Sequence, residues 1–470
     1  MKDSPSIDIG EVIDRVAISP LQWKVFALCG IVALLDGFDT QAVAFAVPLM
    51  AKSWGAPLAS FSLAFSAGLL GLCLGSLLIG PLADRYGRKA VIAWSTAAFG
   101  TASLATVLVA DVASLVALRF ITGLGLGGAI PNLIAMVAEY APKGRRALLI
   151  TASYCGFPLG GALGGVIAST LVPHYGWEAI FWVGGICPLL LLPVLFASLP
   201  ESPRFLVLKG GAGEQLSAIL NAITRGTRRF QATHAFTMDD VSGQGQKALG
   251  GRRAIATLFA DGRAGFTLLL WAIFFCNLLV MYFLFSWLPS VLQNAGLPLQ
   301  VAINSVVILN LGGIIGGLAI GQQVDRIGPF RTLLVTFAAG AVAVLLIGVS
   351  DQPAVVLTSA FFSGVLIIGS QFAMNALAAA FYPTAARSTG VGWALGIGRV
   401  GSVVGPLLGG ALVHAGFQAD TVLAVAAGPA AVSAACVLAL LLQHKRAAAG
   451  ERVADEPVPS VAAAGTRTER

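Results

Sequence analysis

Four ionisable side chains lie deep inside apolar stretches of the chain, where a charge is costly and therefore indicates a function. They are Asp36, Asp39, Arg119 and Arg399. Asp36 and Asp39 are three residues apart, so both carboxyl groups lie near one face of a helix and together can hold a proton. The Arg399 guanidinium is planar and always charged, and it can donate two parallel hydrogen bonds to a carboxylate. These residues predict a site that couples a proton to an organic anion. Arg119 is the second candidate for the anion ligand. The alternative is that these charges form structural ion pairs buried between helices.

Uncharged polar residues inside the same stretches are candidates to line a substrate cavity and to meet a substrate hydroxyl. Each is equally consistent with a hydrogen bond between helices. They are Asn132, Tyr154, Asn277, Tyr282, Asn310, Gln371 and Asn375. Aromatic residues could clamp a benzene ring, although most phenylalanines in such a chain face lipid. The candidates are Phe274, Phe275, Phe283, Trp287 and Trp393.

The composition predicts the elements that position these residues. The 470 residues are 57% hydrophobic and 11% charged, whereas soluble domains average about 25% charged residues. A soluble globular protein is therefore excluded, and we predict an all-α membrane protein with roughly twelve transmembrane helices of about 20 residues. The predicted spans are 23–50, 59–82, 90–110, 113–139, 147–172, 178–198, 266–289, 300–324, 331–350, 353–381, 389–413 and 420–442.

Basic residues are concentrated in loops on one side of the predicted bundle. They are Arg85, Arg88, Lys89, Lys143, Arg145, Arg146, Arg326, Arg331 and Arg387, whereas the loops of the opposite side hold only Lys52. Basic loops stay in the cytoplasm, so we expect both termini to be cytoplasmic in a bacterial inner membrane. We therefore expect the net charge of +7 to set the membrane topology and to contact anionic lipid headgroups, and not to bind nucleic acid.

The two halves of the sequence are related by a constant offset of 241 residues. Gly71, Gly75, Asp84 and Arg85 correspond to Gly312, Gly316, Asp325 and Arg326, and Gly160 and Gly164 correspond to Gly401 and Gly405. The repeat predicts two six-helix halves, 23–198 and 266–443, with substrate bound between them. A cytoplasmic segment 1–22, a cytoplasmic linker loop 199–265 and a disordered cytoplasmic tail 444–470 complete the chain. The residue at the position equivalent to Asp36 is Asn277, so this acidic side chain occurs in only one half.

Five sequence segments carry a resemblance to a known family. Residues 80–89 read GPLADRYGRK, 200–206 read PESPRFL, 35–40 read LDGFDT, 119–127 read RFITGLGLG, and 382–399 read YPTAARSTGVGWALGIGR. The first is similar to the signature loop of the major facilitator superfamily. Together the segments resemble the aromatic acid:H⁺ symporter family, from about residue 20 to 440.

The resemblance implies a gate at the cytoplasmic surface. Asp84 is expected to cap the N-terminus of the eleventh helix, since a carboxylate is stabilised there. The other expected gate residues are Arg85, Arg88, Lys89, Glu139 and Arg387, with the basic ones near Asp84 pairing with Glu139 and with lipid.

The function that follows from the resemblance is proton-coupled import of aromatic carboxylates by alternating access. Candidate substrates are hydroxybenzoate, benzoate, protocatechuate, gentisate and phenylpropionate. The alternatives are a sugar or other organic-ion porter of the same superfamily and a membrane sensor with a transporter fold. We expect a monomer in the bilayer that is not an enzyme and uses no cofactor and no metal.

Overall fold

The computed structural model describes residues 7–227, 229–238, 256–260, 263–382 and 387–454. Within these ranges, twelve helices are long and apolar enough to cross a membrane, which confirms the predicted all-α architecture. We number them α1 to α12 in chain order. They are Pro20–Trp54, Leu58–Tyr86, Arg88–Leu108, Val112–Tyr140, Lys143–Tyr175, Glu178–Ser198, Ala264–Asn294, Leu299–Val324, Pro329–Val349, Pro353–Asn375, Thr389–His414 and Ala419–Gln443.

Close contacts between helix backbones repeat with the sequence offset of 241. A Cβ built on Gly71 would lie 2.2 Å from the carbonyl oxygen of Phe120, and one built on Gly312 would lie 2.2 Å from that of Phe361. The same relation links Gly75–Leu124 to Gly316–Val365 and Gly160–Leu34 to Gly401–Phe275. These glycines let helices of the same half pack closely. The two halves are therefore built on the same internal contacts.

Two of the twelve helices are irregular in their middle parts. In α5, the helical segments Arg146–Tyr154 and Gly156–Tyr175 are separated at Cys155. In α10, the π-helical segment Gly364–Ile368 precedes the helix Gly369–Phe381. Such irregularities are frequent at functional sites.

The two halves contact each other near one end of the bundle. We call the end where α1 begins and α6 ends the linker face, and the opposite end the distal face. Toward the distal face, the Ser66 hydroxyl of α2 donates to the Val403 carbonyl of α11 at 2.9 Å. The Phe65 ring packs edge-on against Trp287 of α7 at 5.7 Å. Among the described residues at the linker face, no hydrogen bond or ion pair joins the halves, so the cleft is closed on the distal side.

The N-terminal segment and the linker fold together at the linker face. Strand β1 (Ile7–Asp8) pairs in parallel with strand β2 (Phe236–Thr237). Helices Ile9–Arg15, Pro203–Lys209 and Gly213–Ile223 lie beside them. Their apolar residues share one buried cluster with α1 and α4: Ile9, Ile13, Leu206, Leu216, Leu220, Val25 and Tyr140. We call residues 7–16 and 203–238 the cap.

The predicted linker loop and the predicted disordered tail both contain secondary structure. Residues 203–238, predicted as part of a linker loop, contain two helices and a strand. The last helix continues past residue 443 to Ala454, within the predicted disordered tail. Residues 455–470 lie outside the described part of the chain.

Candidate functional site

Asp39 and Arg119 form an ion pair buried inside the N-terminal half. Arg119 Nη1 lies 3.1 Å from Asp39 Oδ2, and the side chains are 4% and 1% exposed, respectively. Arg119 Nη2 also donates to Thr106 Oγ1 at 2.8 Å. The guanidinium carbon lies 5.2 Å from the centre of the Phe181 ring. The charge of Arg119 is therefore matched by groups of its own half.

Asp36 has a different neighbourhood from Asp39. Three residues turn a helix by about 300°, so the two carboxyl groups diverge by about 60°. Asp36 Oδ1 accepts a hydrogen bond from Thr40 Oγ1 at 3.2 Å, whereas Oδ2 has no partner among the described residues. The opposing charge that acts on Asp36 is Arg399 of α11. The two carboxyl groups that the sequence analysis treats as one pair thus face two different arginines.

Arg399 lies at the boundary between the halves. Its guanidinium is within hydrogen-bonding reach of the Tyr282 hydroxyl of α7. It also interacts electrostatically with Tyr154 of α5 and with Asp36 of α1. Within the described part of the chain, no acidic side chain lies within 4.0 Å of it. Arg399 is thus a partly buried cation without a direct ion-pair partner.

The face of α11 that carries Arg399 has open space beside it. Gly392 and Gly396 precede it by seven and three residues, so all three lie on one face of the helix. A Cβ built on either glycine would meet no atom within 4 Å. On another face, a Cβ on Gly398 would lie 3.3 Å from the carbonyl oxygen of Phe274 in α7. The helix is thus fixed to α7 on one side and leaves room for a ligand on another.

Five aromatic rings from both halves surround this boundary. The Tyr154 and Phe157 rings stack with their centres 6.0 Å apart and an interplanar angle of 6°. Phe157 lies 6.4 Å from Phe285, which lies 5.8 Å from Tyr282. The Tyr154 ring also meets the edge of Phe372 of α10 at 6.4 Å. These rings offer both flat faces and edges to an aromatic ligand.

Three predicted polar residues form a chain of amide groups in the C-terminal half. Asn277 Nδ2 of α7 donates to Gln371 Oε1 of α10 at 2.8 Å. Gln371 Nε2 donates to Asn375 Oδ1 at 3.2 Å. Asn277 is 1% exposed, and its Oδ1 has no partner among the described residues.

A pair of buried amides joins the halves next to the site. Gln41 Nε2 of α1 donates to Asn310 Oδ1 of α8 at 3.2 Å, and Asn310 Nδ2 donates to Gln41 Oε1 at 2.7 Å. Both side chains are fully buried. Gln41 lies nearer the distal face than Asp36, so the pair lies on the distal side of Asp36.

A small cavity with a mixed polar and apolar lining lies between α1, α2, α4 and α7. Its volume is about 40 Å³, enough for one or two water molecules. Its polar lining comes from both halves: Asp39, Thr40, Arg119, Thr122, Tyr282 and Ser286. Two buried polar atoms, Asp39 Oδ1 and Arg119 Nε, have no protein partner among the described residues. Water in this cavity would satisfy them.

Three of the gate residues predicted at the linker face, Arg88, Lys89 and Glu139, form hydrogen bonds within the N-terminal half. Arg88 Nε donates to Glu139 Oε1 at 2.8 Å, and the Ser202 hydroxyl donates to Glu139 Oε2. Lys89 Nζ donates to the Phe196 carbonyl at 2.7 Å. These bonds tie α3, α4, α6 and the segment that follows α6 together within the N-terminal half.

Asp84, Arg85 and Arg387 are not part of that network. Asp84 is exposed and has no hydrogen bond or ion pair within the described part of the chain. The Arg85 guanidinium lies 5.3 Å from the centre of the Tyr86 ring. The side chain of Arg387 lies outside the described residues.

The remaining polar and aromatic candidates lie in helix packing. Asn132 Nδ2 donates to the Gly80 and Gly128 carbonyls at 3.3 and 2.8 Å. Phe274, Phe283 and Trp287 are fully buried, and the Trp287 indole donates to the Pro406 carbonyl of α11 at 2.8 Å. Trp393 is 42% exposed and stacks on Trp271. Within the described residues, no three potential metal ligands lie together.

Sequence reasoning missed four residues of the site: Phe157, Phe285, Phe372 and Gln41. Three of them are phenylalanines in apolar helices, where the sequence pattern gives no sign of the cleft. Gln41 did carry a signal, because it is a lone amide five residues after Asp36 in an apolar stretch.

A family model described as the Major Facilitator Superfamily matches residues 29–394 and 305–467 of the chain. The chain belongs to this superfamily. Its curated relatives are transporters and not enzymes.

Two curated relatives show this similarity over nearly the whole chain. A protein named 4-hydroxybenzoate transporter from Pseudomonas aeruginosa is 37% identical over 433 residues, covering 92% of this chain and 95% of the relative. A gallate transporter from Pseudomonas putida is 36% identical, covering 93% and 95%. The expected membership of the aromatic acid family is thereby confirmed.

A solved structure shows the same fold. The xylose transporter from E. coli, in a partially occluded inward open conformation, superposes with a TM-score of 0.68. The match covers 88% of this chain and 97% of that chain at 19% sequence identity. At this identity the likeness shows the fold alone.

Proposed function

We propose that this protein is a proton-coupled symporter that imports aromatic carboxylates across the bacterial inner membrane by alternating access. The observation that carries the proposal is the boundary between the halves, where Arg399, which forms no direct ion pair within the described residues, and Asp36 lie among aromatic rings. The names of the relatives, which include transporters of 4-hydroxybenzoate, gallate and benzoate, support the same substrate class.

Arg399 is the proposed ligand of the substrate carboxylate. It is partly buried and has no acidic partner within 4.0 Å among the described residues, whereas Arg119 already binds Asp39 and Thr106. A guanidinium can bind both oxygens of a carboxylate. The open space beside Gly392 and Gly396 leaves room for the acid. Arg119 is therefore the weaker candidate.

The aromatic rings around Arg399 are the proposed site for the benzene ring of the substrate. Tyr154 and Phe157 come from the N-terminal half, whereas Phe285 and Phe372 come from the C-terminal half. Offset-stacked and edge-to-face contacts contribute about 0.5–1.5 kcal/mol each beyond the burial of area. A ring bound between the halves would contact both of them, which suits a substrate that drives their relative motion.

Asp36 is the first candidate for the transported proton, and Asp39 is the second. Protonation of Asp36 removes the negative charge that faces Arg399, so the guanidinium becomes available to the incoming anion. An anion that enters alone against an inside-negative potential meets a cost of about 2.3 kcal/mol per 100 mV. One proton carried with each monoanion removes that cost. Asp39 borders the small cavity between α1, α2, α4 and α7, which is large enough to hold water.

The positive-inside pattern assigns the linker face to the cytoplasm. In that orientation, both termini are cytoplasmic and the structure is closed toward the periplasm by contacts such as Gln41–Asn310. In the opposite state, the halves would close at the linker face, where Asp84 would cap α11. This is the proposed gate.

Uptake into proteoliposomes tests the proposal. Wild-type protein is expected to accumulate labelled 4-hydroxybenzoate or benzoate when the outside is made acidic, and not to accumulate xylose. Asp36→Asn is expected to abolish accumulation driven by the pH gradient, because the carboxyl group that carries the proton is lost. Asp111→Asn is the matched control, since Asp111 is an exposed cap of α4 and asparagine also caps helices well.

Two results would contradict the proposal. Accumulation that still follows the pH gradient in Asp36→Asn would show that another group couples the proton. A wild-type protein that transports none of the aromatic acids would contradict the substrate class itself.

A further inference from the structure

The amide chain Asn277–Gln371–Asn375 ends in a buried polar atom without a partner. Both hydrogen bonds of the chain run outward, from Asn277 to Gln371 and from Gln371 to Asn375. The carbonyl end of the Asn277 side chain remains unpaired although the residue is 1% exposed. A buried amide atom without a partner is destabilising, so a group that is not part of the protein is expected to satisfy it.

The internal repeat places Asn277 opposite Asp36. Leu34 contacts Gly160 as Phe275 contacts Gly401, and these residues differ by the offset of 241. Asp36 and Asn277 lie two residues further along each helix and are related by the same offset. The two side chains therefore occupy equivalent positions in the two halves and face the common cleft at the same depth.

The second residue of the chain also borders the proposed substrate site. Gln371 immediately precedes Phe372, whose ring meets Tyr154 at 6.4 Å. Tyr154 in turn interacts electrostatically with Arg399 and Asp36. The amide chain thus approaches the site from the C-terminal half, on α7 and α10.

The chemistry of the unpaired atom selects one kind of ligand group. A carboxylate offers only acceptors and cannot satisfy an amide oxygen, and a ring C–H leaves it unpaired. A hydroxyl both donates and accepts, so it satisfies this end of the chain in either orientation of the amides. We propose that Asn277 binds a hydroxyl group on the aromatic ring of the substrate and thereby selects hydroxylated aromatic acids over unsubstituted ones.

This inference rests on the proposed function, and it assigns different roles to the three residues. Asn277 contacts the substrate hydroxyl. Gln371 is a positioning residue, because it fixes the Asn277 amide through a single hydrogen bond. Asn375 is exposed at the outer end of the chain and contributes least.

Equilibrium binding to the purified protein tests the inference with four ligands: benzoate and its 2-, 3- and 4-hydroxy derivatives. Wild-type protein is expected to bind at least one hydroxybenzoate about tenfold more tightly than benzoate, since an unpaired buried partner is costly. Asn277→Leu is expected to bring this ratio close to one by weakening the hydroxylated acid, with benzoate affinity unchanged within about twofold. Gln371→Leu should lower the ratio to a smaller extent.

Asn132→Leu is the matched control. Asn132 is also a buried asparagine in an apolar helix, but it bonds the Gly80 and Gly128 carbonyls within the N-terminal half. The ratio is expected to stay at the wild-type value in this variant. If Asn277→Leu does not fold, Asn277→Ala removes the same amide without adding a branched side chain, and the same ratio is measured.

Several outcomes would overturn the inference while leaving the proposed function intact. One is a wild-type protein that binds all four acids without preferring any hydroxylated one. Another is an Asn277 variant that keeps the preference, which would mean that only water satisfies the amide. Equal weakening of all four acids in that variant would show a structural role. Failure of the wild-type protein to bind any of the acids would instead contradict the proposed function.

Discussion

The buried ion pair between Asp39 and Arg119 should stabilise the N-terminal half without binding the substrate. At 3.1 Å and an effective dielectric constant of about 20, the attraction is about 5 kcal/mol. Loss of one partner leaves the other charge buried and unpaired, which typically costs about 3–5 kcal/mol. Asp39→Asn and Arg119→Met should therefore each be strongly destabilising.

The double variant Asp39→Asn/Arg119→Met distinguishes a pair from two independent charges. It buries no unpaired charge, so we expect it to be more stable than either single variant. Thermal unfolding of the purified protein in detergent measures these differences. Arg145→Met is the control, because Arg145 is exposed at the linker face and its loss should change stability by less than about 0.5 kcal/mol.

Ligand binding provides the second readout for the same variants. The double variant should still prefer an aromatic acid over its neutral amide, because Arg399 remains in place. A double variant that is no more stable than the worse single variant would refute the pairing argument. Loss of the acid preference on Arg119→Met would refute the assignment of the carboxylate to Arg399.

Three further substitutions test separate parts of the structure. Arg399→Ala should lower the preference for an aromatic acid over its amide by about 10- to 100-fold in equilibrium binding. Arg399→Lys should be intermediate because it keeps the charge. An undiminished preference in Arg399→Ala would mean that another group binds the carboxylate. Asp84→Asn should slow uptake with little change in Kd, because Asp84 is exposed outside the cleft; a large loss of binding at unchanged uptake kinetics would contradict this. Asn310→Leu leaves the Gln41 amide buried and unpaired, so it should favour opening of the distal side, seen as faster labelling of a cysteine introduced at Ser62. Labelling as slow as in the wild type would show that the pair does not hold the distal side closed.

The membrane helices and the repeat could be predicted because both produce long, regular patterns in the sequence. Apolar runs of about 20 residues have few alternatives to a membrane helix. The offset of 241 reappears in the contacts of Gly71 and Gly312. The sequence also indicated that the basic residues near Asp84 pair with Glu139, and in the structure Arg88 Nε lies 2.8 Å from Glu139 Oε1.

The partners of the buried acids could not be predicted in the same way. Asp36 and Asp39 look equivalent in sequence, and only the positions of α4 and α11 decide that Asp39 meets Arg119 and Asp36 faces Arg399. The aromatic lining is also hidden, because Phe285 has the same sequence context as a phenylalanine that faces lipid. The pairing of the two cap strands escaped prediction because they are short and far apart in the chain.

The pairing of β1 with β2 sets an order for the biosynthesis of the protein. Ile7 and Asp8 leave the ribosome long before Phe236 and Thr237 exist. The cap therefore cannot close until all the helices from α1 to α6 have been made, and until then the apolar residues of its first helix, such as Ile9, lack their later partners. Once residue 238 has emerged, every strand and helix of the cap is available, before α7 begins at Ala264. The cap segments can thus come together before the helices of the second half have emerged from the ribosome.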